Sequence, residues 1–226
     1  MKIWESFLDL LYPPKCPFCG KVQETRGICP ACRKALPWTE GDQGLKTLPG
    51  GTVCAAPLWY EDLAREGLLR FKFQGAAAAA EPLGELIAQC AAERFSGAFD
   101  VVTWVPVSRR RLRKRGYDQA RLLAESACRV WGVRPERLLR KTLDNPAQSG
   151  LHEAAARRAN VLGVYEAAEA DKLRGRRVLL VDDICTTGAT LAECARTLRA
   201  AGAESVACVT AALTREKEKV HNPAKE

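Results

Sequence analysis

Residues 178–190 read VLLVDDICTTGAT, and no other stretch of this chain constrains its fold as tightly. VLLV is a continuous apolar run of the kind buried on both faces of a parallel sheet. Asp182 and Asp183 close it, at the carboxyl end where open α/β sheets bind ligands. The turn CTTGAT then leads into Leu191, Cys194, Ala195 and Leu198, one face of a helix that Gly202 ends. Gly188 allows a close backbone approach, and successive N–H groups at a helix start cradle an anion. Thr186, Thr187 and Thr190 add hydroxyl donors, so the loop suits one phosphate group. Two carboxylates beside it would repel a bare phosphate. They would instead accept hydrogen bonds from ribose hydroxyls and help hold Mg²⁺, a hard cation that takes oxygen ligands. A sugar phosphate satisfies both halves of the string. The competing readings are an ordinary strand-to-helix turn with capping threonines and the acidic strand of a nucleotide hydrolase. The hydrolase needs a G-x-x-x-x-G-K-[ST] partner loop, which the chain lacks, and no G-x-G-x-x-G occurs either.

The flanking sequence alternates strand-like and helix-like pieces, the pattern of a mainly parallel sheet with crossover helices. Strands are expected at residues 53–60, 101–107, 177–182 and 206–213. Helices are expected before the basic-aromatic FKFQG, over residues 81–95 with Pro82 in the first turn, and over residues 120–131. A short amphipathic helix is expected at residues 3–11. The run GDQGLKTLPGG, residues 41–51, reads as a turn-rich linker, and the charged end from residue 215 as a frayed tail. The expected organisation is an N-terminal helix and cysteine module in residues 1–40, a linker at 41–52, the α/β domain at 53–214 and a tail at 215–226.

CPFCG and CPACR place Cys16, Cys19, Cys29 and Cys32 in two C-x-x-C knuckles. Four thiolates close a tetrahedral site, which makes a bound ion structural, and Zn²⁺ is the expected one. A four-sulfur iron centre or a redox dithiol has the same ligands. The chain has ten cysteines, and the other six lie in apolar segments without the spacing of a disulfide framework. Cys54, Cys90, Cys128, Cys194 and Cys208 read as core residues, with Cys185 as the exposed exception inside the loop. No apolar run approaches the ~20 residues of a membrane span, and the start lacks a secretory pattern. A reducing, cytoplasmic setting is expected. His152 and His221 stand apart from any ligand cluster.

The net charge of +8 favours anionic partners. Much of it sits in WVPVSRRRLRKRGYDQA, a basic loop directly after an expected strand. A solvated charge run and a nucleic-acid patch are both open readings. Its position, at the sheet edge that also carries the phosphate loop, favours a pyrophosphate group. Ser108, Arg109, Arg110, Arg113 and Arg115 are the candidate ligands, since arginine forks match phosphate oxygens. Trp104 and Tyr117 are candidates for stacking on bases, with core packing the alternative for Trp104.

VLLVDDICTTGAT resembles the signature of type I phosphoribosyltransferases for phosphoribosyl pyrophosphate (PRPP). The resemblance implies that Asp182 and Asp183 serve the ribose hydroxyls as the catalytic pair. It likewise implies that Cys185, Thr186, Thr187, Gly188, Ala189 and Thr190 form the 5′-phosphate loop. The ordered set VPVSRRRLRKRGYDQARLLAE, RKTLDNPAQSGLHEAAARRANVLGVYEA and the PRPP loop is similar to the ComF family of competence-associated proteins. That family joins a zinc ribbon to a phosphoribosyltransferase-like domain. The positions matching its pattern are Arg115, Gly116, Tyr117, Gln119, Gln148, Leu151, Arg158 and Asn160, and Asp118 stands where asparagine is more usual. The resemblance implies an α/β, type I phosphoribosyltransferase-like fold with a small N-terminal Cys₄ zinc module. It also implies Mg²⁺-dependent phosphoribosyl transfer to an acceptor the sequence does not name. The alternative is a module that handles single-stranded DNA with the same basic face, alongside other competence or DNA-processing proteins.

Overall fold

A computed structural model describes residues 13–73, 77–143 and 162–215. The expected N-terminal helix, the charged tail after Arg215, both histidines, Gln148, Leu151, Arg158 and Asn160 lie outside the described residues.

In chain order the described elements are α1 (Pro30–Ala35), β1 (Leu45–Thr47), β2 (Val53–Ala55), β3 (Leu58–Trp59), α2 (Asp62–Phe73) and α3 (Ala80–Phe95). There follow β4 (Val101–Trp104), α4 (Arg109–Arg115), α5 (Gln119–Val130), β5 (Leu139–Lys141), β6 (Tyr165–Ala167), β7 (Arg177–Cys185), α6 (Ala189–Ala200) and β8 (Ser205–Leu213). The main sheet runs β1-β2-β8-β7-β4, and β3 joins it on β8. Every pairing in it is parallel except the antiparallel β1–β2 edge. β5 and β6 form a separate antiparallel pair.

β7 and β8 are the centre of the sheet because they are its most apolar strands. Val178, Leu179, Leu180 and Val181 are at most 1% exposed, as are Cys208, Val209, Ala211 and Ala212. Burying such residues stabilises by ~25 cal/mol per Å² of apolar surface. One core layer packs Leu179 and Val181 against α2, α3 and α5; the other packs Leu180, Cys208 and Cys54 against α6. Gly84 lets α3 and α5 approach closely, since a Cβ there would lie 2.4 Å from the Ser126 Cβ.

Three expectations need correction. The strand expected over residues 53–60 is broken in two at Ala56-Pro57, because proline carries no N–H for the ladder. The segment read as a linker contributes β1, in register from Leu45↔Ala55 to Thr47↔Val53. The basic stretch after β4 is a helix, not a loop. Ser108 caps it by accepting from the Arg111 N–H at 3.3 Å, and Gly116 ends it with φ +81°. A run of one charge still forms a turn here because capping satisfies its ends while the side chains reach solvent.

Candidate functional site

β7 outruns its neighbour β4. The last β4 pair is Trp104↔Val181, while β7 continues to Cys185. Asp182 and Asp183 therefore stand in a notch at the carboxyl edge of the sheet, and strand alternation turns them towards opposite faces. Asp183 is buried and pairs with Lys72 Nζ, 3.0 Å from Oδ2. Lys72 comes from the last turn of α2, in the FKFQG segment, and its role was not read from sequence. Arg115 lies within electrostatic range of Asp183; burial pulls the guanidinium pKa down while Asp183 supports its charge. Its Nη1 donates to Gln119 Oε1 at 2.9 Å, and its head lies 5.1 Å from the Phe73 ring centre.

Asp182 accepts a hydrogen bond from the Asp183 backbone N–H at 2.8 Å. Burial, and then the charge of Asp183, hold its carboxyl well above the usual carboxylate range. The folded state therefore keeps a proton on Asp182 that the unfolded chain releases near pH 4. Stability is lost as pH rises from that unfolded value towards the folded one. Asp182→Asn keeps the acceptor and removes this loss. The variant should melt several degrees above the parent at pH 8 and close to it at pH 5, without divalent ions. An equal difference at the two pH values would show that ionisation is not the cause.

The candidate phosphate loop, residues 185–190, is a left-handed turn into a helix. Gly188 has φ +74° and precedes the first residue of α6. A Cβ there would lie 2.4 Å from Leu48 Cδ2, so the loop is seated against the chain just after β1. Thr187 Oγ1 accepts from the Ala189 N–H at 3.4 Å, and Thr186 is exposed. The backbone after β8 closes the turn, with the Thr214 N–H donating to the Cys185 carbonyl at 3.0 Å. Cys185 is a correction. Its side chain is 1% exposed, and contact with Cys54 draws its thiol pKa down. It lines the core beneath the loop, so any part it takes in phosphate binding is through backbone.

On the basic helix, Arg109, Arg110 and Arg113 are exposed and Ser108 is buried as the cap. Asp118 caps α5, with Oδ1 accepting from Arg121 N and Oδ2 from Val107 N, each at 3.2 Å. Both carboxylate oxygens accept, whereas an asparagine amide, with one acceptor oxygen, could fill only one of these two positions. Tyr117 donates its hydroxyl proton to the Phe71 carbonyl and tilts against the Phe71 ring, tying the basic helix to α2. Trp104 is 8% exposed and packs in the core.

The four N-terminal cysteines converge. Their Sγ atoms all lie within 4.8 Å of one another, and Cys19 and Cys29 are 3.8 Å apart. Tetrahedral Zn–S bonds of about 2.3 Å set sulfurs about 3.8 Å apart, so the donor set fits zinc. Cys29 begins α1 and accepts from the Cys32 N–H at 3.4 Å. Burial works against ionising Cys16, yet N–H donors from Cys29, Cys19 and Phe18 bring its pKa to about 7. The ribbon is not a free module: Phe18, Cys32 and Leu36 are buried in the same core layer as α2 and α3.

Comparison with known proteins agrees with this geometry. The phosphoribosyl transferase domain family matches residues 120–225, and the double zinc ribbon domain family matches residues 7–57. Competence protein ComFC of Bacillus subtilis (strain 168) is 29% identical over 197 residues, covering 86% of this chain and 76% of that protein. The chain is thus similar to competence proteins of the ComF type over most of its length. DNA utilization protein YhgH of Escherichia coli O6:H1 is 29% identical over 196 residues, covering 84% of this chain and 80% of that one. Competence protein F of Haemophilus influenzae is 36% identical over 105 residues, which cover 45% of this chain and 45% of that protein. Among solved structures, the glutamine PRPP amidotransferase of B. subtilis, complexed with ADP and GMP, aligns at 26% identity and a TM-score of 0.40. That alignment covers 60% of this chain and 26% of the other. By the two family matches and the cysteine geometry, the chain carries a phosphoribosyltransferase-type α/β domain and an N-terminal zinc ribbon with a Cys₄ cluster suited to structural zinc. Among the described residues, no helix is long and apolar enough to cross a membrane.

Proposed function

We propose that the protein binds PRPP at the carboxyl edge of β7 and transfers its phosphoribosyl group to an acceptor. The observation that carries this reading is the Asp182-Asp183 pair at the projecting end of β7, running straight into the Gly188 turn of α6, with Lys72 paired to Asp183 and Arg115 within its electrostatic range. In this reading the backbone and hydroxyls of residues 185–190 hold the 5′-phosphate. Asp182 and Asp183 accept hydrogen bonds from the ribose hydroxyls. Ser108 and Arg109, Arg110, Arg113 and Arg115 face the pyrophosphate. As the bond from C1 to pyrophosphate lengthens, positive charge grows on the ribose; the Asp183 carboxylate would stabilise it, and Asp182 would join it where that charge or bound Mg²⁺ favours its ionised form. The carboxylate oxygens also suit Mg²⁺, which would neutralise pyrophosphate charge when bound.

A second reading, handling of single-stranded DNA, has one observation in its favour besides the names of the relatives. A cleft of about 860 Å³ beside β4 is lined by Arg109, Arg121, Arg137, Arg140 and Lys141. Trp104 is buried, so phosphate contacts rather than stacking on that ring would have to hold the strand.

One thermal-shift experiment separates the two. Mg-PRPP at about a hundredfold excess over Kd should stabilise the native protein by ~2.7 kcal/mol, a rise of several degrees in Tm. Asp183→Asn should remove most of that rise. If Mg-PRPP moved neither protein and a single-stranded oligonucleotide stabilised both in low salt, the transfer reading would be lost to the second.

A further inference from the structure

The phosphate loop, residues 185–190, contains no cationic side chain of its own. The chain brings one to it from 140 residues away. Lys46, the middle residue of β1, donates from Nζ to the Thr186 carbonyl at 3.1 Å, at a solvent-exposed position. Two further contacts bind the same edge to the loop. Leu48 is 2% exposed and packs where a Gly188 Cβ would be, and Lys46 stands in register with Cys54, the neighbour of Cys185. Thr214 Oγ1 donates to the same Thr186 carbonyl at 3.3 Å, so the two donors converge at the first turn of the loop.

We propose that β1 is part of the phosphate subsite, with Lys46 as its cationic ligand for the terminal phosphate of a ribose 5-phosphate group. The assignment rests on the reading of this edge as a PRPP site and adds a residue to it. A phosphate in the loop carries close to two negative charges, and Asp182 and Asp183 stand at the same strand end. Backbone dipoles and hydroxyls supply only partial charges against them. An ammonium on a flexible four-carbon stem at the loop's first carbonyl can turn from that carbonyl to a phosphate oxygen with a small side-chain movement. The antiparallel β1–β2 edge fixes where that stem starts, and Leu48 fixes the edge on the loop. A linker free of the sheet would hold neither.

The test is titration of ribose 5-phosphate, without Mg²⁺, into the full chain and into Lys46→Met and Lys46→Arg. Methionine keeps the apolar stem, so Tm should stay within a few degrees of the parent. The parent should bind, Lys46→Met should bind roughly tenfold more weakly, and Lys46→Arg should recover most of the loss. The affinity of the parent should also fall more steeply with salt than that of Lys46→Met, because one phosphate contact is missing in the variant. A folded Lys46→Met with the parent's affinity and salt dependence would overturn the assignment of Lys46 and leave the PRPP site standing. A parent that binds neither ribose 5-phosphate nor Mg-PRPP would remove the site itself. If Lys46→Met melted far below the parent, the comparison of Lys46→Arg with the parent in salt dependence would decide: an arginine whose affinity and salt slope differ from lysine's by less than the error supports a charge role. An arginine that loses the affinity entirely contradicts it.

Discussion

Stripping the metal from the cysteine cluster should lower the Tm by ~10 °C or more, and Cys19→Ser should do the same. Structural zinc in small ribbons contributes an apparent ~10–16 kcal/mol at neutral pH, and here its loss would not stay local. Phe18, inside the first knuckle, lies fully buried against α2, where a Cβ on Gly67 would sit 2.7 Å from its ring. Leu36, at the end of α1, joins the same core layer as Leu58, Leu68 and Phe71. Arg26 reaches Glu81 of α3 at 3.3 Å. If the knuckles open, Phe18 leaves a hole beneath α2, and large apolar cavities cost several kcal/mol. α2 is also the helix that carries Lys72 to Asp183. The measurement is a melt with and without a chelator, alongside metal content by mass spectrometry. A chain that lost its metal and kept its Tm would show that the ribbon only decorates the domain.

The second large effect is expected at Gly188. Gly188→Val should abolish stabilisation by Mg-PRPP and lower the Tm by about 5 °C. Valine is β-branched and strongly disfavoured at φ +74°. Its Cβ would also meet Leu48 Cδ2 at 2.4 Å, and its two methyls add to that overlap. Relaxing the turn redirects the N–H groups that open α6, so the nest is lost before the helix is. Gly188→Ala, with the same φ penalty and one methyl, should lose less. Thermal shift with Mg-PRPP on both variants checks this, and a Gly188→Val protein that responded as the parent does would mean that the left-handed turn is dispensable for binding.

The most local features were legible directly. VLLV followed by two acids and a glycine turn specifies strand, edge and helix within 25 residues, 178–202, because side-chain period and turn chemistry act over short distances. The C-x-x-C pairs likewise announce a closed thiolate site, and the sulfurs meet as expected. The basic helix was less legible. Its residues have no apolar face, and among the described ones none is buried, so periodicity gave nothing to read; only Ser108 and Gly116, as cap and stop, carried a signal. β1 escaped for a related reason. Three residues amid glycines look like a turn, and they become a strand only because β2 stands beside them.

By itself, the sequence determined which residues make the strand, the acids, the glycine turn and the cysteine knuckles. Only the tertiary structure decided which cations face them. Lys72 meets Asp183 across 111 residues and Lys46 meets the Thr186 carbonyl across 140. Among the arginines after β4, Arg115 is half-buried and feels the charge of Asp183, while Arg109, Arg110 and Arg113 are exposed. The reason is physical. A charged side chain has no periodic partner along the chain, so its place is set by the strand order and by the packing of α2, α4 and the β1–β2 edge around the end of β7.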